Sequence, residues 1–187
     1  MDYKINACVT SHRRFYFRKG TYSMSKTKKL VLAGLFIAIT VVFSTFIVIP
    51  VGVAKAAPVQ HFMNVVTAVT LGPWYAMGCA FVSSLIRNLM GTGSILAFPG
   101  SMIGALLAGL AFKRWGKMTF AACGEVFGTG ILGAMLAALM ALPFLGKEVA
   151  LFGFVPSFFL SSIIGAAVAG VLLKAFQSRG LLDQLNK

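Results

Sequence analysis

The run from Leu30 to Ile49 contains no charged residue. As a helix it reaches about 30 Å, which matches the hydrocarbon core of a bilayer at about 30 Å. Further apolar runs follow along the 187 residues, of which 58% are hydrophobic and 11% charged. A soluble domain carries about 25% charged residues. This chain therefore lacks the polar side chains to cover a water-facing surface. The class that remains is an all-α integral membrane protein folded as one bundle.

The net charge is +13, from 17 Lys+Arg against 4 Asp+Glu. In a soluble protein that excess would suggest nucleic acid. Here the basic residues sit between apolar runs, so they report topology and no nucleic-acid partner is expected. Residues 1–23 hold Arg13, Arg14, Arg18 and Lys19 and share no pattern with the remainder. They read as a disordered basic extension or a misassigned start, since Met24-Ser25-Lys26 resembles an alternative initiation site. Residues 24–187 then form the membrane domain. A cleaved signal peptide ending near Ala54-Lys55-Ala56 is disfavoured, because the apolar run exceeds the usual h-region of about 7–15 residues.

Six spans follow from the pattern. Lys26, Lys28 and Lys29 precede the first, which places the N-terminus in the cytoplasm. Pro50 to Pro58 is an outer loop, and a second helix covers Val59 to Leu71. His61, Asn64 and Thr67 share one face of that helix, which should point inward. Gly72-Pro73 is a tight inner turn, and the third helix runs from Trp74 to Leu89 with Trp74 and Tyr75 as interface anchors. Gly91 to Pro99 is an outer loop. The fourth helix, Gly100 to Phe112, carries a small-residue stripe at Gly100, Gly104 and Ala108 that permits close helix contact. After the basic inner loop of Lys113, Arg114 and Lys117, the fifth helix spans Thr119 to Leu142 and holds Glu125. Pro143 to Val155 is expected as an outer loop and Pro156 to Phe176 as the sixth helix, where Ser157 and Ser161 share a face. Both termini fall in the cytoplasm, with only Lys55 and Lys147 in outer loops.

The sequence carries few motifs for chemistry. Gly116-Lys117 and Gly146-Lys147 lack the following Ser or Thr of a phosphate-binding P-loop, so no ATP site is read. There is no H-E-x-x-H, no G-x-S-x-G and no carboxylate cluster, and Cys8, Cys79 and Cys123 have no paired spacing. Neither an enzyme nor a metal site is expected. Cys79 and Cys123 read as buried thiols in apolar segments.

What remains is a polar, glycine-broken stretch at the outer end of the third helix. Arg87 is surrounded there by Asn88, Thr92 and Ser94, with Phe98 as a stacking candidate. Two readings of Arg87 stand: a ligand or gate contact, and a side chain that snorkels or caps loop carbonyls. Helix register argues against a pair with Glu125. Arg87 lies about 20 Å from the inner end of its helix and Glu125 about 9 Å. Glu125, with Thr129 and the glycines Gly124, Gly128 and Gly130, lines the inner part of a cavity, or in protonated form bonds a neighbouring helix. His61 and Asn64 form a ligand-facing pair, or His61 is a satisfied core residue. On the first helix, Gly34 and Ala38 make a small-xxx-small pair with Ala33 beside it.

Several strings together resemble the ThiW family. They are Leu71-Gly72-Pro73-Trp74-Tyr75-Ala76, the run Ile86 to Ala105, and Gly124-Glu125-Val126-Phe127-Gly128-Thr129-Gly130-Ile131. The resemblance covers Lys28 to Phe176. It implies a substrate-binding S component of an energy-coupling factor (ECF) vitamin transporter, with the thiamine precursor hydroxyethylthiazole as ligand. It further implies a six-helix bundle in the bacterial plasma membrane, a transmembrane coupling protein and two cytoplasmic ATPases that use the ATP, and no cofactor on this chain. The first helix of such proteins commonly shows Ala-x-x-x-Ala toward the coupling protein. Gly34 and Ala38 match those positions, with Gly34 a departure, and Ala33 lies next to them. The expected substrate-binding set is His61, Asn64, Arg87, Asn88, Thr92, Ser94, Phe98, Glu125 and Ser157. A phosphorylated thiazole would suit Arg87 better than the neutral alcohol. The alternatives are a stand-alone ion-coupled carrier, or an S component for thiamine or a pyrimidine precursor.

Overall fold

The computed structural model describes residues 24–51, 54–145 and 147–184. The basic extension expected over 1–23 lies outside the described residues. Ser25 caps helix α1 (Lys26–Phe46), its hydroxyl accepting the Lys28 N–H at 3.3 Å. Between α1 and the next helix, β1 (Ile49–Val51) and β2 (Ala54–Ala56) pair antiparallel, with Ile49 opposite Ala56. Helix α2 (Pro58–Leu71) and helix α3 (Pro73–Leu89) each start with a proline in the first turn, where no backbone donor is wanted. Gly72 alone separates them, at φ +94°, a conformation that lets the chain reverse without a Cβ clash.

A short 3₁₀ turn at Ile95–Ala97 leads into α4 (Phe98–Trp115). Next come α5 (Met118–Phe127), a π-helical segment at Gly128–Gly133, and α6 (Ala134–Leu145). Helix α7 (Lys147–Ser178) and the short α8 (Leu181–Gln184) complete the described chain. Among the described residues four stretches are long and apolar enough to cross a membrane: Lys26–Phe46, Ile95–Trp115, Met118–Pro143 and Phe154–Ser178. Helices α2 and α3, of 14 and 17 residues, reach only about 21 and 25 Å.

The burial pattern is that of a membrane protein. Large apolar side chains such as Phe46, Leu89 and Val171 face outward, while Gln60, Asn64, Arg87, Ser101, Glu125 and Thr129 are buried. Helix α2 is the axis of the bundle. Every residue in it except Val59 and Phe62 is buried, and it packs against α1, α3, α4, α5 and α7. That surrounding explains why so short and polar a helix is tolerated. The basic end of the bundle carries Lys29 over the Tyr75 ring at 5.9 Å, Arg114 over Trp115 at 5.9 Å and Lys117 over Phe120 at 6.0 Å.

The small-residue stripe expected on the fourth helix finds its partner in the glycines of α5 and the π segment. A Cβ on Gly133 would lie 2.4 Å from Gly100 Cα, and one on Gly128 would lie 2.7 Å from Gly104 Cα. The two backbones therefore touch, as small residues allow in the absence of a hydrophobic driving force between helices.

Three expectations are corrected. The loop expected over Pro143 to Val155 is mostly helix, since α6 continues to Leu145 and α7 begins at Lys147 with Pro156 inside it. Proline at 143 and 156 suggested helix ends, but each helix continues through its proline. The fifth helix is not uniform, because the glycine-rich Gly128–Gly133 segment winds more widely. Cys79 is buried as expected, but Cys123 is exposed. It lies on the outer surface of α5, next to Gly124, whose Cβ position would meet α4 at Leu107 O.

Candidate functional site

The polar residues of α2 meet those of α3, α4 and α5 at the end of the bundle opposite the basic rim. Arg87, in the last turn of α3, is 6% exposed. Its Nη1 donates to Gln60 Oε1 and its Nη2 donates to Thr92 O at 3.1 Å. Thr92 and Gly93 in turn direct their backbone N–H groups to Arg87 O, both at 2.9 Å. A Cβ on Gly93 would sit 3.0 Å from the Arg87 backbone, so the loop folds directly onto the helix end. Gln60 is oriented from its other side, where Nε2 donates to Ser84 Oγ at 2.8 Å and Ser84 Oγ lies 3.0 Å from Ser101 Oγ.

A second cluster lies beneath. Glu125, fully buried, receives three groups on Oε1: His61 Nδ1 at 2.9 Å, Asn64 Nδ2 at 3.0 Å and Thr129 Oγ1 at 3.0 Å. Asn64 Nδ2 also donates to Ser101 O at 3.2 Å, and Thr129 Oγ1 is 3.1 Å from Gly100 O. The π segment places Thr129 one turn from Glu125 and against α4 at the same time. With Glu125 as the carboxylate, Nδ1 of His61 carries the proton and Nε2 is an acceptor. Glu125 and Arg87 are thus linked through Asn64, Ser101, Ser84 and Gln60, while His61 holds Glu125 by the hydrogen bond from Nδ1.

A cavity of about 320 Å³ lies above these clusters. Its polar lining includes Gln60, His61, Arg87, Ser94 and Ser161. Its apolar lining includes Phe154 and Phe158, whose ring centroids are 6.2 Å apart. The size is at the lower end of the range for small-molecule sites, about 300–1,000 Å³. Two buried side chains on the lining hold polar atoms with no partner, Arg87 Nε and Ser161 Oγ. Buried polar atoms are nearly always bonded, so these two are candidate ligand contacts; Ser44 Oγ and Glu125 Oε2, off the lining, are unpartnered as well. The arrangement suits a small flat ring against the phenylalanines with hydrogen-bonding groups directed at Arg87, His61 and Ser161. Among the described residues no group of three His, Cys, Asp or Glu could hold a metal.

Of the expected binding residues, His61, Arg87, Thr92 and Ser94 line this cavity. The other five occupy other places. Asn64 and Glu125 lie in the cluster behind His61 and do not line this cavity. Asn88 donates to Ser84 O at 2.8 Å, capping its own helix. Phe98 is the first residue of α4 rather than a loop residue, and its ring stands edge-on to Phe81 at 5.3 Å. Ser157 is buried outside the lining, which Ser161 joins one turn further on. Gln60, Ser101, Phe154, Phe158 and Ser161 were not in the expected set. Phe154, Phe158 and Ser161 follow i, i+4, i+7 spacing on one face of α7, a signal hidden by reading Pro156 as a helix start. On α1, Gly34 and Ala38 are exposed, but Ala33 is buried against Leu71 and Cys79 and cannot face a partner.

The chain was compared with known proteins. The family model described as thiamine-precursor transporter protein (ThiW) matches residues 30–179. No curated protein and no solved structure matched. The match covers most of the chain, including every residue of the cavity and of the cluster beneath it. With its apolar helices and inward polar residues, this is a multi-pass membrane protein of a transporter family: the chain belongs to the ThiW family of thiamine-precursor transporter proteins.

Proposed function

We propose that this chain is the substrate-binding S component of an ECF transporter, and that its cavity captures the thiamine precursor hydroxyethylthiazole from outside the cell. The observation that carries this reading is the cavity itself. It combines an aromatic wall, Phe154 and Phe158, with a polar floor of His61, Gln60 and Arg87, in a chain of a thiamine-precursor transporter family. The thiazole ring lies against the phenylalanines. The hydroxyl donates to His61 Nε2, which stays an acceptor because Nδ1 keeps its proton and donates it in a hydrogen bond to Glu125.

In this reading six helices cross the bacterial plasma membrane: the four long ones, together with α2 and α3 shielded inside the bundle. Both termini lie in the cytoplasm with the basic rim, as the positive-inside rule requires. The cavity then opens outward. No P-loop is present in the sequence, so the energy comes from two partner ATPases through a transmembrane coupling protein. The exposed small pair Gly34 and Ala38 on α1 is the docking surface for that protein.

The test is equilibrium binding of hydroxyethylthiazole, thiamine and a pyrimidine precursor to the purified protein, beside co-purification with a coupling protein and ATPases. Saturable binding of the thiazole alone, together with recovery of those partners, is the expected result. Uptake by this chain alone that survives ATP depletion would instead establish a self-sufficient ion-coupled carrier.

A further inference from the structure

The electrostatics of the cavity point to more than a neutral alcohol. Arg87 is a buried guanidinium whose hydrogen bonds go to neutral acceptors, Gln60 Oε1 and Thr92 O, and its Nε has no partner. Among the described residues no carboxylate lies within ion-pair reach of it, because Glu125 is committed to His61 on the far side of Asn64 and Ser101. A buried charge without a counter-charge is costly. The carbonyl end of α3 offsets part of that cost, and Arg87 lies on the cavity lining with its Nε unpartnered.

Two helices add to the same sign. Helix α2 opens at Ala57, and Ala57, Gln60 and His61 line the cavity. Helix α4 opens at Ala97, and Ala97 and Ser101 line it as well. Neither start is capped by a side chain. Both helices therefore turn their partly positive ends toward the space that Arg87 faces. Ser161, across the cavity, adds a hydroxyl with no partner. One buried guanidinium and a free hydroxyl supply donors around one cavity, two helix starts add partial positive charge, and a planar guanidinium favours the oxygens of a phosphate.

Resting on the transporter reading above, we infer that the cavity is an anion site and that its preferred ligand is the phosphate monoester of the thiazole alcohol. The phosphate lies between Arg87 and the starts of α2 and α4, and the ring keeps its place against Phe154 and Phe158.

The experiment compares hydroxyethylthiazole with its phosphate monoester by equilibrium binding to the intact detergent-solubilised protein. Inorganic phosphate serves as competitor. For the unaltered protein the phosphate ester is expected to bind about tenfold tighter or more. In Arg87→Gln the ratio of the two affinities should fall to near one, and in Arg87→Lys it should stay above one. Lys113→Gln, at the basic rim, should leave the ratio as it is. Inorganic phosphate should displace the ester weakly and the alcohol hardly at all. An alcohol that binds as tightly as the ester, or a ratio that survives Arg87→Gln, overturns the inference while leaving the transporter reading intact. Failure of both thiazoles to saturate the protein overturns that reading and this inference with it. If Arg87→Gln does not yield folded protein, the unaltered protein and Arg87→Lys decide the matter by the same ratio.

Discussion

The carboxylate of Glu125 lies 2.9 Å from the imidazole of His61, although 64 positions separate the two residues in the chain. The contact exists because Gly104 leaves room for it. A Cβ at Gly104 would fall 2.8 Å from Glu125 Oε2 and 2.1 Å from Thr129 Oγ1. A seam of glycines between α4 and α5 therefore holds an acid in the middle of a membrane bundle and aims it at the histidine that lines the cavity.

Removing the acid should be costly. Glu125→Ala leaves His61, Asn64 and Thr129 without their common acceptor. Leaving a buried donor unsatisfied costs about 1–3 kcal/mol. A clear drop in thermal unfolding temperature in detergent is expected. Glu125→Gln keeps one oxygen acceptor and should retain most of the stability, while Nε2 of His61 no longer remains a fixed acceptor and thiazole affinity falls.

Gly104→Ala should separate the helices. Overpacking by one methyl against Thr129 and Glu125 costs about 1–3 kcal/mol, and both thermal stability and ligand affinity should decline. Gly34→Ala is the control, because nothing lies within 4 Å of its Cβ position. Its unfolding temperature should not fall, whereas co-purification with a coupling protein is the quantity it should change.

The aromatic wall can be separated from the aromatic ring suggested by sequence. Phe158→Ala removes part of the cavity lining, and affinity for the thiazole should fall about tenfold. Phe98→Ala removes a ring that packs on Phe81 outside the lining. Its affinity should stay within about twofold of the unaltered protein when measured by the same titration. Equal losses in both variants would show that the wall has been misplaced.

Gln60→Leu tests the link between the two clusters. The change removes the acceptor of Arg87 Nη1 and the donor to Ser84 at 2.8 Å. Arg87 then loses a neutral partner while remaining buried, which costs about 1–3 kcal/mol for an unsatisfied polar group. A lower unfolding temperature that bound ligand partly restores is the expected outcome, because a ligand that binds only the folded state adds stability by mass action.

Much of this was legible in the order of residues alone. The charge-free run at Leu30 to Ile49, the reversal at Gly72-Pro73 and the small-residue stripe at Gly100, Gly104 and Ala108 are local features, written in hydropathy and spacing. Helix register also kept Arg87 apart from Glu125, and the structure gives each of them separate partners. Partners across the bundle were not legible. Nothing in a one-dimensional pattern says that Gln60, one position before the recognised polar face, turns to Arg87, or that His61 rather than Arg87 meets Glu125. Those contacts depend on how close α4 comes to α5, which the glycine seam sets, and on how Gly128–Gly133 rewinds the helix beneath it. The aromatic wall was hidden for a related reason. Prolines at 143 and 156 predict helix ends, yet each helix continues through its proline, and α7 carries Phe154 and Phe158 to the cavity. Sequence by itself determined that this chain belongs in a membrane and where its polar groups lie along each helix. Only the tertiary structure decided which of those groups share one cavity, because that depends on distances between helices rather than positions within them.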